Sequence, residues 1–143
     1  MKVVQLTASN IVKDVLEGNN LNKVFQKYSK ENKINPKDLS QIKDLVFGAL
    51  RSYGKTKFVI NKLVKRPPSN RLISTLLNVA LFQLISNRSN SYTVVDQAVS
   101  ASNSVNKGYT AFINGVLRTF LREKEIILEE AEKNEEAKYS YPI

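Results

Sequence analysis

RLISTLLNVALFQLI, residues 71–85, decides the fold. Leu72, Ile73, Leu76, Leu77, Ala80, Leu81, Leu84 and Ile85 recur at steps of three and four, the period of an α-helix and not of a strand. Together they form an apolar face too wide for a helix lying on a surface, so this segment is expected to be the most buried helix of an all-α protein. Turn chemistry bounds it on both sides, with Arg66-Pro67-Pro68-Ser69-Asn70 before it and the polar residues 87–91 after it.

The same period continues outward in both directions. Upstream, Leu39, Ile42, Leu45, Val46, Ala49, Leu50 and Tyr53 make a stripe that starts at Asn35-Pro36 with Asp38 in the first turn, and Gly54 is expected to cap or break it. A short helix then carries Phe58, Val59, Lys62 and Leu63, with Phe58 assigned to the core. Ile11, Val12, Val15 and Leu16 end at Gly18, and Leu21, Val24, Phe25 and Tyr28 mark one more helix. Downstream, Val94, Val95, Ala98 and Val99 give a stripe, and Phe112, Ile113, Val116, Leu117, Phe120 and Leu121 give the last strong one. From Arg122 the pattern loosens into Glu- and Lys-rich sequence, with Ile126, Ile127 and Leu128 as a final apolar cluster. Seven helices joined by short loops predict a compact bundle or two packed sub-bundles.

Composition narrows the chemistry. At 143 residues the chain suits one domain that buries roughly 70% of its unfolded surface. It has no Cys, no His and no Trp, which excludes disulfides, Cys/His metal sites, a thiolate nucleophile and an imidazole base. No apolar run approaches the roughly 20 residues that span a bilayer, and no signal-peptide profile opens the chain, so it reads as cytoplasmic. GALRSYGKT, residues 48–56, has five residues between its glycines where a phosphate-binding loop needs four, and no strand precedes it. Asp44 and Asp96, beside apolar stripes, are expected to hold a cap or a buried ion pair rather than to catalyse.

Charge is the remaining signal. Net charge is +9, but residues 1–121 carry 18 Lys+Arg against 6 Asp+Glu, or +12, while residues 122–143 carry 4 against 7, or −3. Such a body attracts polyanions; a plain solubilising lysine face is the competing reading. Lys55, Lys57, Lys62, Lys65, Arg66 and Arg71 fall within 17 residues, and no acidic residue occurs between Lys55 and Asp96. Together with Lys107, Arg118 and Arg122 they form the candidate RNA-binding set, with Tyr53, Phe58 and Tyr109 as possible stacking partners for unpaired bases. Arg51 and Arg118, each following a Leu at the end of a core stripe, are expected to make a structural ion pair or carbonyl cap, with RNA contact as the alternative.

Several segments are more specific than their composition. DLVFGALRSYGKTKFVINKLVKRP, RLISTLLNVALFQLI, SYTVVDQAV and FINGVLRTFLRE resemble, in order and spacing, the NusB-like domain family, over about residues 6–143. FINGVLR, with Asn114-Gly115 interrupting an apolar helix and Arg118 a turn later, is the most specific, followed by Gln83 inside the most buried helix. Free-standing antitermination factors of the family open with an Arg-rich stretch, whereas residues 1–20 here contain only Lys2 and Lys13. EGNNLNKVF, INKLVKRP and the terminal KYSYPI are similar instead to the N-terminal domain of bacterial small-subunit ribosomal RNA cytosine-C5 methyltransferases. The loop before VVDQAV departs from the family, with Asn90-Ser91 where a proline is usual.

The resemblance implies an RNA-binding helical domain over residues 1–122, and over 123–143 the end of the last helix and a linker toward a methyltransferase domain in cis. Ribosomal RNA and that domain are the implied partners; no membrane and no metal are expected. Methylation in that family needs a Cys nucleophile and S-adenosylmethionine, so catalysis and the cofactor are expected on residues outside this chain. Two alternatives stay open: an antitermination factor that binds leader RNA with a ribosomal protein, and a module that contacts only its catalytic domain.

Overall fold

Asparagine starts most of the helices. In the computed structural model, which describes residues 2–134, the elements are α1 (Lys2–Leu16), α2 (Leu21–Glu31), α3 (Pro36–Arg51), α4 (Tyr53–Leu63), α5 (Arg71–Ser86), α6 (Ser91–Val105) and α7 (Thr110–Lys133). A single 3-10 turn, Lys107–Tyr109, links the last two. The side-chain oxygens of Asn20, Asn35, Asn70 and Asn90 accept backbone N–H groups in the first turns of α2, α3, α5 and α6, and Asn106 does the same for the 3-10 turn. Each satisfies a donor that the helix itself leaves unpaired. α5 closes on Asn87, which adopts the left-handed conformation at φ 54° and ψ 38° and donates its N–H to the Gln83 carbonyl. Gly18, at φ 102°, follows α1 where a side chain would be strained.

All seven expected helices are present, and no strand occurs among the described residues. Two local expectations change. Gly54 does not cap α3: Ser52 does, donating its N–H to the Gly48 and Leu50 carbonyls, and α4 begins one residue later with Gly54 buried inside it. α7 does not loosen at Arg122, because Ile127 and Ala131 return to the face that buries Phe120 and keep the helix packed to Lys133. KYSYPI lies outside the described residues.

The expected two sub-bundles share a wall. α5 contributes Ile73, Leu76, Leu77, Ala80, Leu81 and Leu84 to a core completed by α4, α6 and α7, including Phe120 and Leu117. Its opposite side gives Val79 and Phe82 to a second core built from α1, α2 and α3, including Ile11, Ile42 and Leu50. Burial on both sides explains why α5 is apolar nearly all round. α1 runs antiparallel to α5 along a polar seam: Gln5 Nε2 donates to Gln83 Oε1 at 2.8 Å, Thr75 Oγ1 to the Ser9 carbonyl at 2.9 Å, and Arg71 Nη1 meets Glu17 Oε2 at 2.7 Å. α3 crosses α5 at Gly48, where a Cβ would fall inside the Phe82 ring. That glycine serves helix packing, and the GALRSYGKT stretch is a helix–helix junction.

Candidate nucleic-acid interface

α4 and the linker at residues 64–70 carry the densest positive charge, and folding sorts it into two groups. Lys55 Nζ lies 3.3 Å from Glu132 Oε1, and Lys62 Nζ lies 2.7 Å from Glu130 Oε2, both carboxylates belonging to the C-terminal turns of α7. Lys62 also sits 5.6 Å from the centroid of the Phe58 ring. Phe58 is half-buried beneath this cation and belongs to neither core, contrary to the core role expected for it. Arg71 is held by Glu17. Lys57, Lys65 and Arg66 are exposed and have no ion-pair partner among the described residues. The stretch that reads as one run of six cations therefore presents three free ones, Lys57 on α4 and Lys65-Arg66 just before Pro67-Pro68, with the other three partly neutralised.

Lys107, Arg118 and Arg122 lie elsewhere. Lys107 is in the 3-10 turn between α6 and α7, exposed and without an ion pair among the described residues. Arg118 Nε donates to Asn114 Oδ1 at 2.8 Å, and its guanidinium lies 5.8 Å from the centroid of the exposed Tyr92 ring. Arg122 Nη2 donates to Thr119 Oγ1 at 3.1 Å. Twelve residues of α7 separate Arg118 from Glu130, about 18 Å along the axis, so this is a second patch and not an extension of the α4 surface. Tyr109 is half-buried, packs edge-on against Phe112 and borders the first core.

Tyr53 lines a cleft of about 300 Å³ beside Lys13, Glu17, Arg71, Ser74 and Asn78. Within the cleft the Glu17 carboxylate sits between Lys13 and Arg71, and the hydrogen bond from Arg71 holds its pKa below the usual carboxylate value. An RNA phosphate would meet Arg71 and Lys13 only in competition with Glu17. Nearby, Tyr28 donates its hydroxyl to Asp14 Oδ2 at 3.0 Å, and burial together with that bond pushes its pKa up to about 12.

Asp44 forms the ion pair expected of it, 3.2 Å from Arg88, though on the surface rather than buried. Asp96 is exposed and makes no ion pair among the described residues, contrary to expectation. Among the described residues no group of three or more carboxylates could hold a metal ion, and no helix is long and apolar enough to cross a membrane. The arrangement presents cations, hydroxyls and amides; it is suited to holding a polyanion.

The NusB family model matches residues 2–122. The chain belongs to the NusB family. Its similar relatives include the ribosomal RNA small subunit methyltransferase B of Pasteurella multocida (strain Pm70), 31% identical over 107 residues that cover 73% of this chain and 24% of that protein. The proteins of the same name from Cronobacter sakazakii (strain ATCC BAA-894) and Klebsiella pneumoniae (strain 342) are each 30% identical over 96% of this chain and 32% of their own length. This NusB-family chain thus spans about a third or less of the curated relatives it matches.

Sequence reading of this NusB-family surface missed its acidic half. Glu17, Glu130 and Glu132 each neutralise a cation far away in sequence, and α7 supplies two of them from the segment that reads as loosening. The usable signal was the spacing of Ile127 and Ala131, which marks the acidic turns as packed helix. Lys124 was also missed: its ammonium caps the Leu84 carbonyl at 3.1 Å near the end of α5, where helix carbonyls favour a cation.

Proposed function

We propose that this chain is the RNA-binding, substrate-positioning domain of a bacterial small-subunit ribosomal RNA methyltransferase, non-catalytic by itself and working in the cytoplasm beside a methyltransferase domain in cis. The observation that carries the reading is the set of exposed, unpaired cations Lys57 on α4 and Lys65 and Arg66 before Pro67-Pro68 in a NusB-family fold. Exposed cations on a rigid helix and a proline-stiffened loop contact phosphates without sequence preference, which suits holding a large RNA while another domain selects the base. Arg118 and Arg122, one turn apart on α7, form a second patch of the same interface, and Lys107 adds an exposed cation at the 3-10 turn before that helix. The finer assignment, cytosine C5 as the methylated atom, rests on the sequence resemblance alone.

S-adenosylmethionine belongs to the absent domain in this reading. The described residues contain no strand and no glycine-rich strand–loop–helix, and Gly48 is filled by the Phe82 ring, so they do not fit that cofactor. An antitermination factor is less well supported, because α1 lacks the basic stretch that such factors carry and the relatives are methyltransferases.

Binding of a small-subunit ribosomal RNA fragment, followed by fluorescence anisotropy, tests the reading. Affinity should fall steeply with salt, and Lys57→Glu, Lys65→Glu and Arg66→Glu together should flatten the dependence by about 2, the response to three lost single-strand phosphate contacts at about 0.7 each. A flat salt response in the unaltered chain, or no loss in the triple variant, refutes it.

A further inference from the structure

A second polar cavity lies away from both basic patches, and its chemistry differs from theirs. It encloses about 240 Å³ between α1, α3, the end of α5 and α6, over a floor of Val4 and Leu45. Four carboxamides line it: Gln5, Gln41, Gln83 and Gln97. Gln5 is 1% exposed and Gln83 6%, and their one mutual hydrogen bond leaves Gln5 Oε1 buried with no partner. Turning both amides over exchanges the roles and strands the Gln5 nitrogen instead, so one polar atom of Gln5 stays unpaired in either assignment. An orphan of this kind costs about 1–3 kcal/mol and fixes the Gln5–Gln83 pair behind the cavity wall, where Gln83 is the more exposed of the two.

We infer that this cavity receives a single unpaired nucleobase of the bound RNA. Among the described residues its only lining charges, Asp44 and Arg88, pair with each other at 3.2 Å, and a lining balanced in this way suits an uncharged heterocycle rather than a phosphate or an ionised side chain. A carboxamide offers an adjacent donor and acceptor, the pattern that reads a base edge in pairs of hydrogen bonds. Arg88 supplies the stacking plane: its guanidinium lies 5.4 Å from the centroid of the Phe82 ring and is thereby fixed at the rim, where unstacked bases are commonly held on arginine planes. The volume falls below the roughly 300 Å³ at which drug-sized ligand sites begin, fitting one base and not a folded chain.

The inference rests on the proposed RNA-binding role, and the test separates the two. Side-chain amide signals of glutamine-labelled chain are followed by NMR while adenosine, cytidine, guanosine or uridine is added. Saturable shifts of the Gln5 and Gln83 amides with one preferred nucleoside are expected, and they should vanish in Gln41→Ala/Gln97→Ala, which alters the rim and spares the core. With the ribosomal RNA fragment, the same variant and Arg88→Ala should each lose affinity by about tenfold, the scale of a bidentate base contact, with an unchanged salt slope. A chain that shows the nucleoside shifts but binds no ribosomal RNA keeps the base site and overturns the proposed function. A chain that binds ribosomal RNA, shows no amide shift with any nucleoside and loses nothing in the rim variants has a hydrated cavity, which overturns the inference. Amide shifts on adding a separately made methyltransferase domain, with none from nucleosides, also overturn it by making the cavity a protein contact.

Discussion

Replacing Glu130 and Glu132 with glutamine should make the chain a tighter and more salt-sensitive RNA binder. The two carboxylates hold Lys62 and Lys55 at 2.7 Å and 3.3 Å, and the four side chains are 32% to 70% exposed. Pairs exposed to this degree contribute about 0.2–1 kcal/mol each, so the double variant should lose no more than about 2 kcal/mol of stability. Net charge rises by two, from +9 to +11. If both freed ammonium groups reach phosphates, the slope of log K against log salt steepens by about 1.4, at 0.7 per single-strand contact. Extrapolated from about 1 M salt, where counterion release no longer helps, that slope corresponds to up to about 25-fold tighter binding at 0.1 M. Anisotropy titrations of a ribosomal RNA fragment across salt concentrations measure it directly. Glu123→Gln/Glu125→Gln is the control: it changes net charge equally, on exposed residues of the same helix that make no ion pair among the described residues. Parallel slopes for the unaltered chain and the Glu130/Glu132 variant, or equal steepening in the control, would refute the reasoning.

Other expectations follow from packing and titration. Gly48→Ala should cost about 1–3 kcal/mol by driving a methyl into the buried Phe82 ring, a loss of several degrees in Tm that Phe82→Leu should partly rescue; a Tm at or above that of the unaltered chain would show that the ring can yield. Tyr28 should ionise near pH 12 in an ultraviolet titration, well after an ordinary tyrosine at about 10. Because the fold favours the neutral phenol, its stabilisation is complete below pH 10 and is lost as pH rises toward 12. Asp14→Asn should move that titration downward, although burial, the larger cause, remains. Asn70→Ala removes the acceptor for the Ile73 N–H at the start of α5 and should cost about 1 kcal/mol in urea unfolding.

The fold was legible because its information is local. The stripe from Leu72 to Ile85 and the breaks at Asn35-Pro36, Gly18 and Pro67-Pro68 follow from helix period and turn chemistry within a few residues, and they placed all seven helices. Gly54 misled because glycine usually ends helices, whereas here Ser52 closes one helix and precedes the next with no loop between them. The site was legible only as composition. Lys55 and Glu132 are 77 positions apart, and nothing in either neighbourhood says that α7 will lie along α4. Gln83 was recognisable as odd inside an apolar helix; its partner Gln5, 78 positions away, was not. Counting cations along the chain therefore overstated the free positive charge of α4.

The asparagine caps have an electrostatic consequence as well as a geometric one. An aspartate at the same position would satisfy the same N–H groups but cancel the partial positive charge of the helix start, and it would be lost on protonation. Here the asparagine caps are neutral, and among the described residues Asp38 in α3 is the only acidic residue in the first turn of a helix. The backbone dipoles at the starts of α2, α5 and α6 thus add to the side-chain charge, and the field that an approaching polyanion meets is more positive than a tally of ionised groups gives. Since carboxamides do not titrate, these helix starts hold as firmly in acid as at neutrality, whereas the Glu17 carboxylate, held below its usual value by Arg71, loses its contribution as the pH falls.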